Sequence, residues 1–359
     1  MINNNLLPVI GIFAVAFTIG LTLISILNIM REKRKKNRQS QSLEGQGVLS
    51  LCSLLLFAST AIAALLFIPF QYGLYKLVGF FIGCLVAAGF GIAIDRNRIN
   101  ARWQIAAQIV GGCILYSFGI RVTCIGGFVD LTGVVLTGTI SLLFTVLWII
   151  IITNALQLMN RIGGLCASTV IIASICVAFI AYNKQQYYVA QLMAAVCGSS
   201  MGLLPYNLFP PKIPIGYSGS QLFGFSLAAA ALMGEIPLKG AAAMALFVPI
   251  VVLGITVVKV LYCFIKRRPQ IKKDHYYRKL IWENFTYKQT LIVMCCINGI
   301  MGIVAILYSN RYMVECLGLC AIVLMLFYVL VTNTNSKNVN LKAVNAEKNE
   351  RKRKSERGG

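Results

Sequence analysis

The chain has 359 residues, 58% of them hydrophobic and 12% charged, with a mean hydropathy of +0.77; a soluble globular domain carries about 25% charged residues, so a soluble enzyme is excluded. Lysine and arginine number 33 against 11 aspartate and glutamate, a net charge of +22. The cations fall in short clusters between long apolar runs rather than interleaving with aromatics on a polar face, which excludes a nucleic-acid binder and points to a polytopic inner-membrane protein.

A helix must cover about 30 Å of hydrocarbon at about 1.5 Å per residue, which takes roughly 17 to 25 apolar residues. Eleven runs qualify: 6–30, 47–70, 75–94, 104–120, 133–156, 163–182, 187–204, 220–234, 239–264, 289–308 and 313–332. The eighth is short and interrupted near Pro237. No strand-like alternation of about ten residues recurs, so the expected fold is an all-α bundle of about eleven transmembrane helices rather than a barrel.

Of the 33 lysines and arginines, 27 fall in the loops 31–46, 95–103, 157–162, 205–219 and 265–288 and in the tail 333–359, against five in the loops of the opposite side. Cytoplasmic loops carry the excess of cations, which places the N-terminus outside and the C-terminus in the cytoplasm. Residues 1–332 then form one membrane domain, and 333–359 a disordered basic tail drawn to anionic headgroups. The first span is preceded by MINNN rather than a charged segment and reads as an anchor, not a cleaved signal. Within 271–288, Tyr277, Leu280, Ile281, Asn284 and Phe285 share a helical face ringed by lysines, as in an amphipathic helix lying at the interface. The twelve cysteines sit almost all in apolar spans without CxxC pairs, as small packing residues, and Cys124 lies alone outside.

Polar chemistry gathers in four inner segments: GFGIAIDRNRINARWQ around Asp95, TNALQLMNRIGGL around Asn160, LLPYNLFPPKIPIGYSGSQLFGF around Gly216, and KKDHYYRKL around His275. In this order, over roughly residues 43–308, they resemble the integral-membrane polyprenyl-phosphate N-acetylhexosamine-1-phosphate transferases, the glycosyltransferase family 4 type that includes the phospho-N-acetylmuramoyl-pentapeptide transferases. The framing residues Asn154, Ala155, Leu156, Gly164, Leu165, Tyr206, Asn207, Pro210, Lys212, Gly216, Ser218, Gly219, Ser220 and Gly224 agree. The resemblance implies transfer of a sugar phosphate from a UDP-sugar to undecaprenyl phosphate, with release of UMP, in cell-wall or surface-polysaccharide assembly.

The departures from that pattern lie at its chemistry. The family's aspartate pair with its following Arg and third Asp lines up with Ile94, Asp95, Arg96 and Arg98, so one carboxylate of three remains. In the next motif, Gln157, Asn160, Arg161 and Gly163 stand where the family has Asn, Asp, Gly and Asp. Tyr217 takes the place of the Asp in Gly-Asp-Ser-Gly-Ser, and the His-x-His-His-Arg motif reads His275, Tyr276, Tyr277, Arg278, Lys279. The loop 31–46 has neither the Asp-x-Pro nor the His of the family. Magnesium takes about six oxygens, usually with one or two carboxylates, and the family positions expected to supply them hold Asn160 and Tyr217. A guanidinium at Arg161 about 5 Å from a divalent ion would oppose it by about 7 kcal/mol at an effective dielectric of about 20. No cofactor is therefore expected.

These residues are consistent with a catalytically silent member, in which Arg98, Arg161 and Arg278, with Asn154, Asn160, Lys212 and Ser218, bind a lipid phosphate directly, arginine forks suiting phosphate oxygens. Its role would be regulation or scaffolding of polysaccharide assembly, with assembly enzymes as possible protein partners. The other reading is a divergent active transferase in which Asp95 and Asn160 hold a weak metal and His275 assists. Asp95 is equally readable as an ion-pair partner of Arg96 or Arg98, and His275 as a solvated surface residue. Gly79 and Gly83 form a GxxxG that serves either packing within a monomer or a homodimer.

Overall fold

The computed structural model describes residues 6–37, 41–68, 73–100, 103–125, 134–160, 163–208, 211–234 and 287–309. In chain order these form α1 (Leu6–Asn37), α2 (Gln41–Phe67), α3 (Leu74–Asp95), α4 (Trp103–Ser117), β1 (Cys124–Ile125), β2 (Val134–Val135), α5 (Gly138–Met159), α6 (Leu165–Asn183), α7 (Tyr187–Asn207), α8 (Gly216–Met233) and α9 (Tyr287–Ser309). The two strands are an antiparallel two-residue ladder pairing Cys124 with Val135 and Ile125 with Val134. Among the described residues six helices, α1, α2, α3, α5, α6 and α7, are long and apolar enough to cross a membrane. The expected spans 239–264 and 313–332, the amphipathic segment 271–288 up to residue 286 and the tail 333–359 lie outside the described residues, while Tyr287 and Lys288 open α9.

Several boundaries differ from the sequence reading. The loop expected at 31–46 is helical on both sides: α1 runs through its basic end to Asn37 and α2 begins at Gln41. Lysine and arginine are good helix formers, so a charged run past the apolar span continues the helix into the interface. The fifth span begins at Gly138 rather than 133, because Val134 and Val135 pair with the chain after α4. The eighth span, the shortest by apolar run, starts earlier than expected: Gly216–Ser220 is the first turn of α8, not part of a loop.

α8 is the buried centre of the bundle, with Ser218 through Met233 all buried. It packs chiefly on α3 and α5, while α1 and α6 each pack most extensively on α7. Small residues bring these backbones close. A Cβ on Gly198 would stand 2.5 Å from Phe13 O, and one on Gly202 2.6 Å from Leu21 N, so the GxxxG of α7 seats α1. Gly79 and Gly83 are likewise used inside the monomer, where Phe118 and Phe225 occupy the space a side chain would need. Leu7, Leu65, Leu66 and Leu143 remain exposed on the periphery, as a lipid-facing surface requires. The buried hydroxyls of Ser53, Thr60 and Ser200 bond to carbonyls of their own helix, those of Ser50, Leu56 and Val196, which satisfies them away from water.

One end of the bundle collects the C-termini of α1, α3, α5 and α7 and the N-termini of α2, α4, α6 and α8. Cross-helix bonds tie it: Ser25 Oγ to Tyr206 Oη at 2.8 Å, and Arg96 Nε donating to Ser50 Oγ at 3.2 Å. The candidate site lies there.

Candidate functional site

α3 ends in a Schellman turn: Arg98 N donates to Ala93 O, Asn97 N donates to Ile94 O, and Asn97 takes the left-handed conformation at φ 54°. Asparagine tolerates this conformation better than most residues, and the turn satisfies the last carbonyls of the helix. It leaves Arg96, Asn97 and Arg98 exposed and Asp95, the last helical residue, buried at 7% exposure.

The buried carboxylate faces the start of α8. The residue preceding that helix, Ile215, has no polar side chain to cap it. Asp95 does so from another helix: Oδ1 accepts from Tyr217 N at 2.8 Å, and Oδ2 accepts from Ser218 N at 3.0 Å and from Ser218 Oγ at 2.5 Å. These two amides are the ones an N-cap normally serves, and a negative charge there also meets the positive end of the helix dipole. Gly91 permits the approach, because a Cβ on it would stand 2.4 Å from Ser218 Cα.

The end of α5 reaches the same turn. Asn160 Nδ2 donates to Gly216 O at 2.6 Å, an oxygen that also accepts from Ser220 Oγ at 2.8 Å. Gly216 holds φ at 69°, a conformation that glycine adopts without strain. Next to it, the buried Asn207 joins the turn before α6 to the loop before α8: its Oδ1 accepts from Gly164 N at 2.9 Å and its Nδ2 donates to Ile213 O at 2.9 Å.

Of the residues singled out from sequence, Asp95, Asn160 and Ser218 thus meet at one corner. Asn154 lies lower on α5, with Oδ1 accepting from Gln104 Nε2 at 2.8 Å and Nδ2 donating to Gln108 Oε1 at 3.0 Å. Arg98 and Lys212 are exposed on the turns leading out of α3 and into α8. Arg161, His275 and Arg278 lie outside the described residues. Asp95 makes no ion pair with Arg96 or Arg98; among the described residues its partners are the amides and hydroxyl at the start of α8. The sequence reading passed over Gly91 and the glutamines 104, 108 and 221; polar residues four apart in an apolar run, as at 104 and 108, were the available signal.

Among the described residues the donor set at this corner does not fit a divalent ion. The one carboxylate is spent on three hydrogen-bond donors, Asn160 directs its NH2 group at Gly216, and the Tyr217 side chain is 43% exposed. Among the described residues no three of His, Cys, Asp and Glu come together. What the end of the bundle offers instead is exposed cations, Arg96, Arg98 and Lys212, around a corner whose own charge is satisfied internally.

Residues 77–235 match glycosyl transferase family 4, a stretch that runs from the first turn of α3 to just past α8. The chain is similar to the probable undecaprenyl-phosphate N-acetylglucosaminyl 1-phosphate transferase of Bacillus subtilis, 25% identical over 66% of this chain and 66% of that protein. It is 33% identical to the phospho-N-acetylmuramoyl-pentapeptide-transferase of Enterococcus faecalis over 47% of this chain and 51% of that protein. With the decaprenyl-phosphate N-acetylglucosaminephosphotransferase of Mycobacterium leprae it shares 30% identity over 43% of this chain and 41% of that one. The matches thus span 41 to 66% of the length of these relatives.

Proposed function

We propose that the chain, whose residues 77–235 match glycosyl transferase family 4 and whose relatives include polyprenyl-phosphate hexosamine-1-phosphate transferases, is a member of that family that binds a polyprenyl phosphate without a divalent ion and without transferring sugar phosphate. One observation carries this reading. The residues at three motif positions where the family's pattern calls for acids, Asp95, Asn160 and the turn Gly216–Ser218, hydrogen-bond to one another instead of opening toward a ligand.

In this reading the chain crosses the bacterial inner membrane eleven times with its N-terminus outside, so the Asp95 end faces the cytoplasm, where the cation-rich loops lie. A lipid phosphate is held there by Arg98 and Lys212 together with Arg161 and Arg278, whose guanidinium forks suit phosphate oxygens. The isoprenoid chain lies in the bilayer along the bundle. The protein then acts on polysaccharide assembly by holding the lipid carrier, as a regulator or scaffold, rather than by turning it over.

The test uses the full-length protein purified in detergent. Undecaprenyl phosphate is expected to bind in excess EDTA, with affinity falling about tenfold for Arg98→Ala and for Lys212→Ala, the equivalent of about 1.4 kcal/mol each. UMP release above background from any of a panel of UDP-sugars with Mg or Mn would overturn the reading in favour of a divergent enzyme. Affinity that collapses in EDTA would overturn it as well.

A further inference from the structure

Below the Asp95 corner, α4, α5 and α8 meet through side-chain amides. Gln104 Nε2 donates to Asn154 Oδ1 at 2.8 Å, Asn154 Nδ2 donates to Gln108 Oε1 at 3.0 Å, and Gln221 Nε2 donates to the main-chain oxygen of Gln104 at 3.4 Å. In an α-helix the carbonyl of residue 104 points toward the amide of residue 108. The tips of all four side chains therefore gather at one turn of α4. Gln108 and Gln221 are 0% exposed and Gln104 6%.

Two atoms of this cluster are left over. Gln108 Nε2, a donor, and Gln221 Oε1, an acceptor, are buried without a partner among the described residues. An unpaired carboxamide atom is costly in a protein interior and more so at membrane depth, where no bulk water can reach it. The two orphans are of opposite sense and belong to side chains that converge on the same turn. The four side chains that meet there carry no formal charge, so neither a cation nor a phosphate is called for. What fits is a molecule small enough to sit between three packed helices that accepts one hydrogen bond and donates another.

We propose that one ordered water bridges Gln108 Nε2 to Gln221 Oε1, closing a ring of carboxamides and solvent that fixes α4, α5 and α8 relative to one another. The ring sits about 7 Å below the corner, since Asn154 lies five residues before the end of α5 and Gln221 five after the start of α8, at about 1.5 Å per residue. α5 and α8 carry Asn160 and Ser218, so the ring is a positioning device for the corner, and Asn154 belongs to it with both polar ends engaged. The inference stands apart from the lipid-phosphate reading and does not depend on it.

The decisive experiment is a density map of the unaltered full-length protein in lipid nanodiscs at a resolution that shows waters. One peak is expected within hydrogen-bond distance of both Gln108 Nε2 and Gln221 Oε1. A direct bond between the two side chains, or no peak between them, overturns the proposal. A double-mutant cycle gives a second readout. Gln108→Met and Gln221→Met are each expected to lower Tm by about 3 °C, and the pair by clearly less than the sum, because each single variant strands the partner of the shared water while the pair loses that water only once. Losses that simply add overturn the proposal, and where a variant fails to fold the map decides alone.

Discussion

The carboxylate of Asp95 and the hydroxyl of Ser218 lie 2.5 Å apart although 123 residues separate them in the chain. With the two backbone amides of Tyr217 and Ser218 on the same carboxylate, α3 supplies the cap that α8 lacks in its own sequence. The acid that a sequence comparison aligns with a family carboxylate is here an interhelical clasp.

Removing that clasp is expected to destabilise the fold. Asp95→Ala strips the acceptor from two amides and a hydroxyl and lowers stability by about 2–3 kcal/mol, whereas Ser218→Ala removes one bond and costs about 1 kcal/mol. Thermal unfolding in detergent, followed by intrinsic fluorescence, measures both. An Asp95→Ala protein as stable as the parent would show that the cap contributes nothing.

Two glycines of α3 are expected to behave oppositely. Gly91→Ala forces a methyl group to within 2.4 Å of Ser218 Cα and is expected to cost about 2 kcal/mol, while Gly89→Ala meets nothing within 4 Å and is neutral or slightly stabilising through helix propensity. Equal Tm values for the two variants would place α3 and α8 farther apart than the structure has them.

The seam between α1 and α7 offers a third check. Gly202→Leu drives a side chain into the backbone of α1, 2.6 Å from Leu21 N at its first atom, and is expected to separate the two helices. Tm in detergent is then expected to fall by about 5 °C or more. An unchanged Tm would contradict the packing described.

Restoring acids should restore a cation site. Tyr217→Asp, Asn160→Asp, Arg161→Gly and Gly163→Asp together supply three carboxylates and remove one guanidinium at the motif positions, and Mn is expected to bind this variant while leaving the parent untouched, as read by electron paramagnetic resonance. Manganese bound equally by both proteins would refute the mismatch between the present donor set and a divalent ion.

Much of the bundle was legible because a bilayer imposes length and apolarity on each span separately. The runs 75–94, 163–182, 187–204 and 289–308 agree with α3, α6, α7 and α9 to within a few residues, and each needs only its own composition to be recognised. The same local logic misplaced the start of α8. Gly216, Tyr217, Ser218, Gly219 and Ser220 read as a polar loop by composition, and they are helical because a carboxylate from α3 and an amide from α5 satisfy the turn.

The amino-acid sequence alone determined the membrane-helical class, the resemblance to glycosyl transferase family 4 and the list of residues standing where acids are expected, since these follow from composition and from matching one position at a time. Only the tertiary structure decided what those residues do: that Asp95 caps α8, that Asn160 meets Gly216, and that Asn154 bridges Gln104 and Gln108. A hydrogen bond needs its two atoms within about 3 Å, and for partners a hundred residues apart that distance is set by how the helices pack, which no stretch of sequence specifies by itself.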